Sequence, residues 1–278
     1  MIQNKFISHC EKKGLIQLQF VPTMKKRGGI LLGFLEDEIV ALVVGASGGI
    51  GDAFVQKLSR SQQCTSLIMT SRQPQVLGSI DAKHTWLSLD ITEEASIQHL
   101  SMYLQNNHLQ PNVVLNLSGM LHCSQFGPER TWRHLDMETM RRVFEVNTFG
   151  IALLAKHLIP MMPRTGRSIF ASLSARVGSI SDNKLGGWYS YRASKAAQNM
   201  IVKNISIEAQ RKWKQLICVA LHPGTVKTSL SDPFTKNYDP QKLFTPQQSC
   251  DFLCDVISHL TMEDTGGFFA WDGQPIEF

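Results

Sequence analysis

Val43-Val44-Gly45-Ala46-Ser47-Gly48-Gly49-Ile50-Gly51 is the stretch on which the fold turns. It follows an apolar run, 39–44, and leads into a pattern of helical spacing from Gly49 onward. A tight glycine turn between a strand and a helix lets backbone N–H groups and the helix N-terminus come close to a pyrophosphate. A glycine motif alone is a weak signal. Its context here, a strand before it and a helix after it in the first β-α unit, strengthens the reading.

Outward from this loop, apolar runs alternate with longer helical patterns. Strands are expected at 39–44, 66–70, 84–89, 112–117, 168–173, 216–221 and 267–271, and helices at 49–60, 93–106, 138–161, 191–211 and 246–260. Most of the strand runs are continuously apolar, as in strands covered on both faces. Thr92 and Thr245 are expected helix caps, with Pro246 at a first helical position. Regular alternation predicts an α/β doubly wound Rossmann fold with a parallel sheet of about seven strands. Residues 39–278 are expected to form a single domain of this kind. Residues 1–38 stand apart as an N-terminal extension, packed on the sheet edge or partly disordered, and Met24 offers an alternative start.

Composition fits this reading. The chain has 278 residues, 43% hydrophobic and 18% charged, with a formal net charge of +5. A sizeable core is expected and general disorder is not. The charge favours anionic ligands such as nucleotide phosphates. The one dense basic run, Lys25-Lys26-Arg27, is too short to predict a nucleic-acid surface. Six scattered cysteines form no CxxC pair, and no His/Cys cluster has zinc spacing, so no metal is expected. Cys250 and Cys254 share a helix face as two apolar thiols. No apolar run reaches the ~18 residues that span a bilayer, and the first residues lack the order of a secretory signal. A cytoplasmic protein without membrane contact is expected.

Tyr191 and Lys195 stand four apart, on one face of their helix. A phenol with a pKa near 10 is a poor base at neutral pH, and a neighbouring ammonium draws it toward the working range. Tyr189 is a decoy, because Ala193 stands four residues on. The glycines are spaced Gly-x-x-x-Gly-x-Gly, and further motifs follow in order. Asp90 follows the third strand, and Asn116-Leu117-Ser118-Gly119 the fourth. Asn147 lies within the long helix, and Pro223-Gly224-Thr225-Val226-Lys227-Thr228 follows the sixth strand. Thr265-Gly266 and Asp272-Gly273 bracket the last strand. From about Ile39 to the C-terminus the chain resembles the short-chain dehydrogenase/reductases. The runs Leu173-Ser-Ala-Arg-Val-Gly-Ser-Ile180 and Gly186-Gly-Trp-Tyr-Ser-Tyr-Arg-Ala-Ser-Lys195 resemble its C-factor-like branch, related to carbonyl reductases.

The resemblance implies a hydride transfer between a nicotinamide dinucleotide and a carbonyl or alcohol substrate. Tyr191 would exchange the proton, Lys195 would also bind the nicotinamide ribose, and Asn147 would hold a relay water. The cofactor-binding set it implies is Gly45, Ser47, Gly48, Gly49, Ile50, Gly51, Ser71, Arg72, Asp90, Ile91, Asn116, Ser118, Gly119, Tyr191, Lys195, Pro223, Gly224, Thr225, Val226 and Thr228. The second strand ends Thr70-Ser71-Arg72, without the acidic residue that binds ribose hydroxyls in NAD enzymes. Ser71 and Arg72 suit a 2′-phosphate, so NADP(H) is favoured over NAD(H). Arg72 as a plain surface residue is the alternative. Trp188, Leu121 and Phe234 are candidate apolar walls. His122 either lines the pocket or is an ordinary satisfied histidine. Between Ser229 and Thr245 a short polar segment suggests an open or partly mobile pocket. A homo-oligomer, dimer or tetramer, is implied by the family.

One position departs from the pattern. Many relatives read Asn-x-Ser-Ser where this chain reads Ser172-Leu173-Ser174-Ala175, so alanine stands at the second serine. Ser174, one residue earlier, points the other way in a regular strand. Ser174 is nevertheless the candidate that completes the set Asn147, Ser174, Tyr191 and Lys195, with Ser179 and Ser172 weaker. Ala175 and the C-factor resemblance also motivate a rival: a dinucleotide-binding regulatory or signalling protein with weak or no catalysis.

Overall fold

The computed structural model describes residues 38–278 apart from 75–77, 80–82 and 237. The extension expected over 1–38 lies outside the described residues, save Glu38. Ten strands are described: β1 Ile39–Val44, β2 Cys64–Ser71, β3 Gly78–Ser79, β4 His84–Ser88, β5 Val113–Asn116, β6 Ser168–Leu173, β7 Leu216–His222, β8 Thr225–Val226, β9 Leu243–Phe244 and β10 Phe268–Ala270. The helices are α1 Gly49–Ser59, α2 Glu94–Asn106, α3 Met137–Phe144, α4 Gly150–Leu158, α5 Tyr189–Ala209 and α6 Pro246–His259.

Strand order in the main sheet is β10-β7-β6-β5-β1-β2-β4-β3. Its pairings are parallel except that of the two-residue edge strand β3 with β4. The doubly wound parallel sheet is therefore as the alternation predicts. The chain leaves β1 toward β2 and β4, then returns to lay β5 on the other side of β1. That reversal opens a crevice at the carboxyl ends of β1 and β5, where ligands of such sheets bind.

The period-two alternation of buried strand residues separates two cores. Ala41, Val43, Val113, Leu115, Ile169 and Ala171 meet Phe54 and Leu58 of α1 and Leu253 and Ile257 of α6. Leu42, Val114 and Phe170 meet Leu100 and Leu104 of α2 and Leu154 and Leu158 of α4 on the opposite face. Burying a side chain of this size contributes roughly 1.5–3 kcal/mol each.

Two local expectations change. Thr245 caps α6 in a capping box with Gln248. Thr92 caps nothing: Glu93 is the N-cap of α2, and the Thr92 hydroxyl donates instead to Asp90 Oδ1 at 2.7 Å. The long helix expected at 138–161 holds a π-helical turn, Glu145–Phe149, in which Gly150 N–H reaches Glu145 O. Such a wide turn re-aims side chains in mid-helix, and Asn147 sits at its centre.

Candidate active site

The loop after β1 is built by close backbone approach. Gly45 has φ +81°, and its N–H and that of Ala46 donate to Thr70 O. A Cβ added at Gly51 would lie 2.1 Å from Gly45 O, a distance no side chain tolerates. Gly49 lies so close to Thr228 that an added Cβ would meet its methyl at 3.0 Å. Ser47, Gly48 and Gly49 are open to solvent. The N-cap of α1, Gly48, supplies no side-chain hydrogen bond. The first N–H groups of α1 therefore face the crevice as donors for an anion.

At the end of β2, Ser71 is 5% exposed and its hydroxyl has no partner. Arg72 beside it is exposed. Burial pushes the Asp90 carboxyl up, but the Thr92 hydrogen bonds and the Arg72 and Arg142 guanidiniums outweigh it and hold the pKa below the ordinary value. Ile91 is buried against Gly150, whose missing Cβ leaves it room. A glycine cradle at a helix N-terminus, with an orphaned hydroxyl beside it at the end of β2, fits a dinucleotide.

The carboxyl ends of β5 and β6 carry a buried polar chain. Asn116 Oδ1 accepts from Ser118 N–H and hydroxyl, at 3.3 and 2.5 Å, while its Nδ2 donates to Ser172 Oγ at 2.9 Å. Gln198 Nε2 also donates to Ser172 Oγ (3.1 Å) and to Leu173 O (2.9 Å). Lys195 Nζ donates to Leu173 O at 2.9 Å and to Gln198 Oε1 at 2.8 Å. Asn147, fully buried, clamps the chain after β5: Oδ1 accepts from Met120 N–H at 2.7 Å, and Nδ2 donates to Met120 O and Ser194 Oγ. A Cβ added at Gly119 would meet Asn147 Oδ1 and Lys195 Nζ, each at 3.7 Å. Asn147, Lys195 and the loop after β5 are thus brought together.

Tyr191 lies on the same face of α5, 8% exposed, with Lys195 Nζ 5.8 Å from its ring centroid. The electrostatics differ from the expectation that the ammonium acidifies the phenol. Burial pushes the Tyr191 phenol well above its ordinary value and lowers the Lys195 ammonium to about 7. Both groups sit in a medium that disfavours charge.

Ser174 extends past β6, with its N–H on Leu221 O. Its hydroxyl is buried and donates to Asn199 Oδ1 at 2.7 Å. Asn199 Nδ2 is buried without a partner. Ser179 is occupied in its own loop, where its oxygen accepts from Asp182 N–H. Gln198, Asn199 and Ser194 join the site without standing among the candidate residues above. Their signal was available: they continue the buried face of Tyr191 and Lys195 at helical spacing, where apolar residues are the rule.

Thr225 and Val226 form β8, paired in parallel with β9. Gly224, at φ +78°, lies against Phe244, which packs on Phe252 and Trp271 at 5.1 and 4.7 Å. Pro223 O accepts from the Ser249 hydroxyl, anchoring the segment to α6. The polar stretch from Ser229 to Thr245 therefore carries an aromatic anchor that its composition hides. Beside it lies a cavity of about 480 Å³, lined among others by His122, Phe126, Arg130, Trp188 and Phe234. His122 Nε2 lies 3.1 Å from Leu230 O. Trp188 and Phe234 line this cavity; Leu121 is buried and does not. No group of three or more metal-ligating side chains is found among the described residues. No helix among them is long and apolar enough to cross a membrane.

Comparison with known proteins agrees with this geometry. Residues 39–239 match the family model described as short chain dehydrogenase. A 1-hydroxy-2-glutathionyl-2-methyl-3-butene dehydrogenase of Rhodococcus sp. (strain AD45) is 28% identical over 238 residues, 85% of this chain and 98% of that one. The C-signal protein of Myxococcus xanthus is 30% identical over 142 residues, 51% of this chain and 80% of that one. The NADPH-bound carbonyl reductase from chicken fatty liver superposes with a TM-score of 0.74 at 26% identity, covering 87% of this chain and all of that one. The chain belongs to the short-chain dehydrogenase family, oxidoreductases whose fold binds a nicotinamide dinucleotide.

Proposed function

We propose that residues 39–278 form one catalytic domain that reduces carbonyl compounds with NADPH, or runs the reverse alcohol oxidation, with Tyr191 as proton donor and acceptor. The observation that carries this is Tyr191, Lys195 and Asn147 gathered on buried faces at the mouth of the switch-point crevice. Bound nicotinamide supplies or takes up the hydride. The residues of the chain handle the proton and the developing charge.

As a carbonyl carbon is reduced, its oxygen becomes an alkoxide that needs one proton. A buried phenol stays protonated across the physiological range and can give that proton. Burial holds the phenol in the protonated form that reduction uses; the reverse oxidation starts from the phenolate. Lys195 near neutrality exchanges its own proton readily. When charged it carries three donors, two of them engaged by Leu173 O and Gln198 Oε1. We assign Asn147 the water that reloads this proton path. Ser174 is the hydroxyl of the set; it can polarise a substrate oxygen only by leaving Asn199. Arg72, with the orphaned Ser71 hydroxyl, supports NADP(H) over NAD(H) through a 2′-phosphate. We further assign the protein to the cytoplasm, as a homo-oligomer acting on small molecules, without nucleic-acid or membrane partners.

The test is NADPH oxidation across a panel of aldehydes and ketones. Tyr191→Phe is expected to lower kcat by about 10²–10⁴-fold while dinucleotide binding persists. Turnover undiminished in that variant would overturn the assignment. A second reading, a dinucleotide-binding signalling protein with weak or no catalysis, is favoured by Ala175 at the serine position and the C-signal likeness. Tight NADPH binding without turnover of any carbonyl would select it.

A further inference from the structure

The chain enters α5 through three successive residues in the left-handed region: Gly186 at φ +64°, Gly187 at φ +65° and Trp188 at φ +51°. Glycine adopts this conformation freely, whereas a bulky aromatic residue is strained there. A third glycine would build the same corner with less strain, so the backbone gives no reason for tryptophan.

The corner is held from outside. Glu129, 4% exposed, accepts Trp188 N–H on its main-chain carbonyl at 2.5 Å. Its carboxylate accepts Ser190 N–H at 3.2 Å and the Ser190 hydroxyl. A buried carboxylate is unfavourable unless well bonded. Here it meets the free N–H groups and the positive end of a 21-residue helix. Two features that oppose stability, a left-handed tryptophan and a buried carboxylate, coincide three residues or fewer from each other's contacts and from Tyr191. Strain that the surroundings hold in place tends to mark functional sites.

The indole shows what the strain secures. Its centroid lies 6.2 Å from that of Tyr191 at 73°, and 5.2 Å from that of Phe234 at 63°. Phe234 meets the His122 ring in turn at 5.5 Å. Trp188, Phe234 and His122 all line the cavity, so Trp188 bridges the cavity and the phenol.

We infer that Trp188, held left-handed by Glu129, is the specificity-determining residue of the site: a platform for carbonyl compounds whose reacting carbon is attached to an aromatic ring or flat conjugated system. A ring of the substrate extends the existing edge-to-face series, the arrangement that aromatic quadrupoles favour. An alkyl chain gains nothing of the kind. The inference rests on the carbonyl reading above.

Trp188→Gly removes the indole and relieves the positive φ, so the corner remains buildable. The ratio of kcat/KM for benzaldehyde to that for butanal is expected to fall at least about tenfold, which is 1.4 kcal/mol of discrimination. Trp188→Phe should recover part of the ratio. Glu129→Ala keeps the main-chain bond to Trp188 and removes the side-chain bonds to Ser190, so it should lower the ratio less than Trp188→Gly does, and Glu129→Gln, which keeps an acceptor for Ser190, should restore much of it. A ratio unchanged in Trp188→Gly, or a Glu129→Ala loss that Gln does not restore, overturns the inference. If wild-type protein turns over neither aldehyde, the carbonyl reading has failed and binding decides the platform. Benzamide should then quench tryptophan fluorescence in the wild type and not in Trp188→Gly; equal quenching in both overturns it.

Discussion

The two ends of the crevice solve the problem of a buried site with different materials. The loop from Gly45 to Gly51 is made of backbone. Its specification is an absence of side chains, and Gly51 against Gly45 O allows no alternative. The reaction end is made of side chains from β5, β6, the π turn and α5, several of them bonded to partners far away in sequence. Asn116 reaches Ser172 across 56 residues, and Asn147 reaches Ser194 across 47. A backbone constraint leaves its mark in a few consecutive letters, whereas a side-chain network leaves single polar residues whose meaning depends on where the chain returns.

The sharpest way to break the comparison is inside the glycine loop. Gly51→Ala places a methyl on a backbone oxygen that cannot move aside, so a loss of more than about 3 kcal/mol is expected. Gly48→Ala adds a Cβ with 3.4 Å to the same oxygen at an exposed N-cap, and about 0.5–1 kcal/mol is expected. Urea denaturation of the two variants checks this. Equal losses would show that the loop tolerates more than its backbone geometry allows.

At the reaction end the matching test is Gln198→Leu. It leaves Lys195 without one acceptor and Ser172 without one donor, both buried, and about 1–3 kcal/mol of stability should go. The same region should report its charge through pH. Lys195 titrates near 7 when folded and at 10.5 in the open chain. Between those values the unfolded state binds a proton that the native state does not, so stability rises with pH through this window. The contribution is lost as pH falls through 7. Tyr191 and the buried thiols Cys64 and Cys218 are shifted upward, so their contribution fades as pH rises past 9 or 10. Wild-type stability measured in the cofactor-free protein between about pH 7 and 9 should therefore climb, by at most about 1.4 kcal/mol per unit, and Lys195→Met should flatten it.

Legibility followed the same division. Apolar runs marked the seven strands that pair in parallel in the main sheet, most of them continuous because most are covered on both faces; β4, only partly buried, is the exception. The two-residue strands β3, β8 and β9 are too short to carry a period. Tyr191, Lys195, Asn147 and Asn116 could be picked out by order along the chain, but not their partners. Glu129 bonds Ser190 61 residues on, and nothing around it in sequence distinguishes it from a surface acid. Gln198 and Asn199 were legible in principle, as polar residues at helical spacing from Tyr191 on a face that packs inward. The acidifying effect expected of Lys195 on Tyr191 failed for a reason the sequence does not hold. Spacing puts two groups on one face, but depth decides whether either charge is tolerated.

The smallest expected effect concerns the serine. Strand parity alone would turn Ser174 away from Tyr191, and its hydroxyl is found on Asn199. That bond gives Ser174 a structural task whether or not it meets substrate. Ser174→Ala removes the partner of Asn199 Oδ1 where Nδ2 is already unpartnered, so stability should drop by about 1–3 kcal/mol. Its effect on turnover should be smaller than the 10²–10³-fold typical of a preorganised donor, about tenfold or less, because the proton is already engaged. Ala175→Ser restores a hydroxyl at the next position, half-buried and in extended backbone at φ −145°. On the double variant Ser174→Ala/Ala175→Ser, kcat should recover while stability stays low, separating a donor that serves the reaction from one that serves the helix. Recovery of both, or of neither, would mean that the two serine positions are not divided in this way.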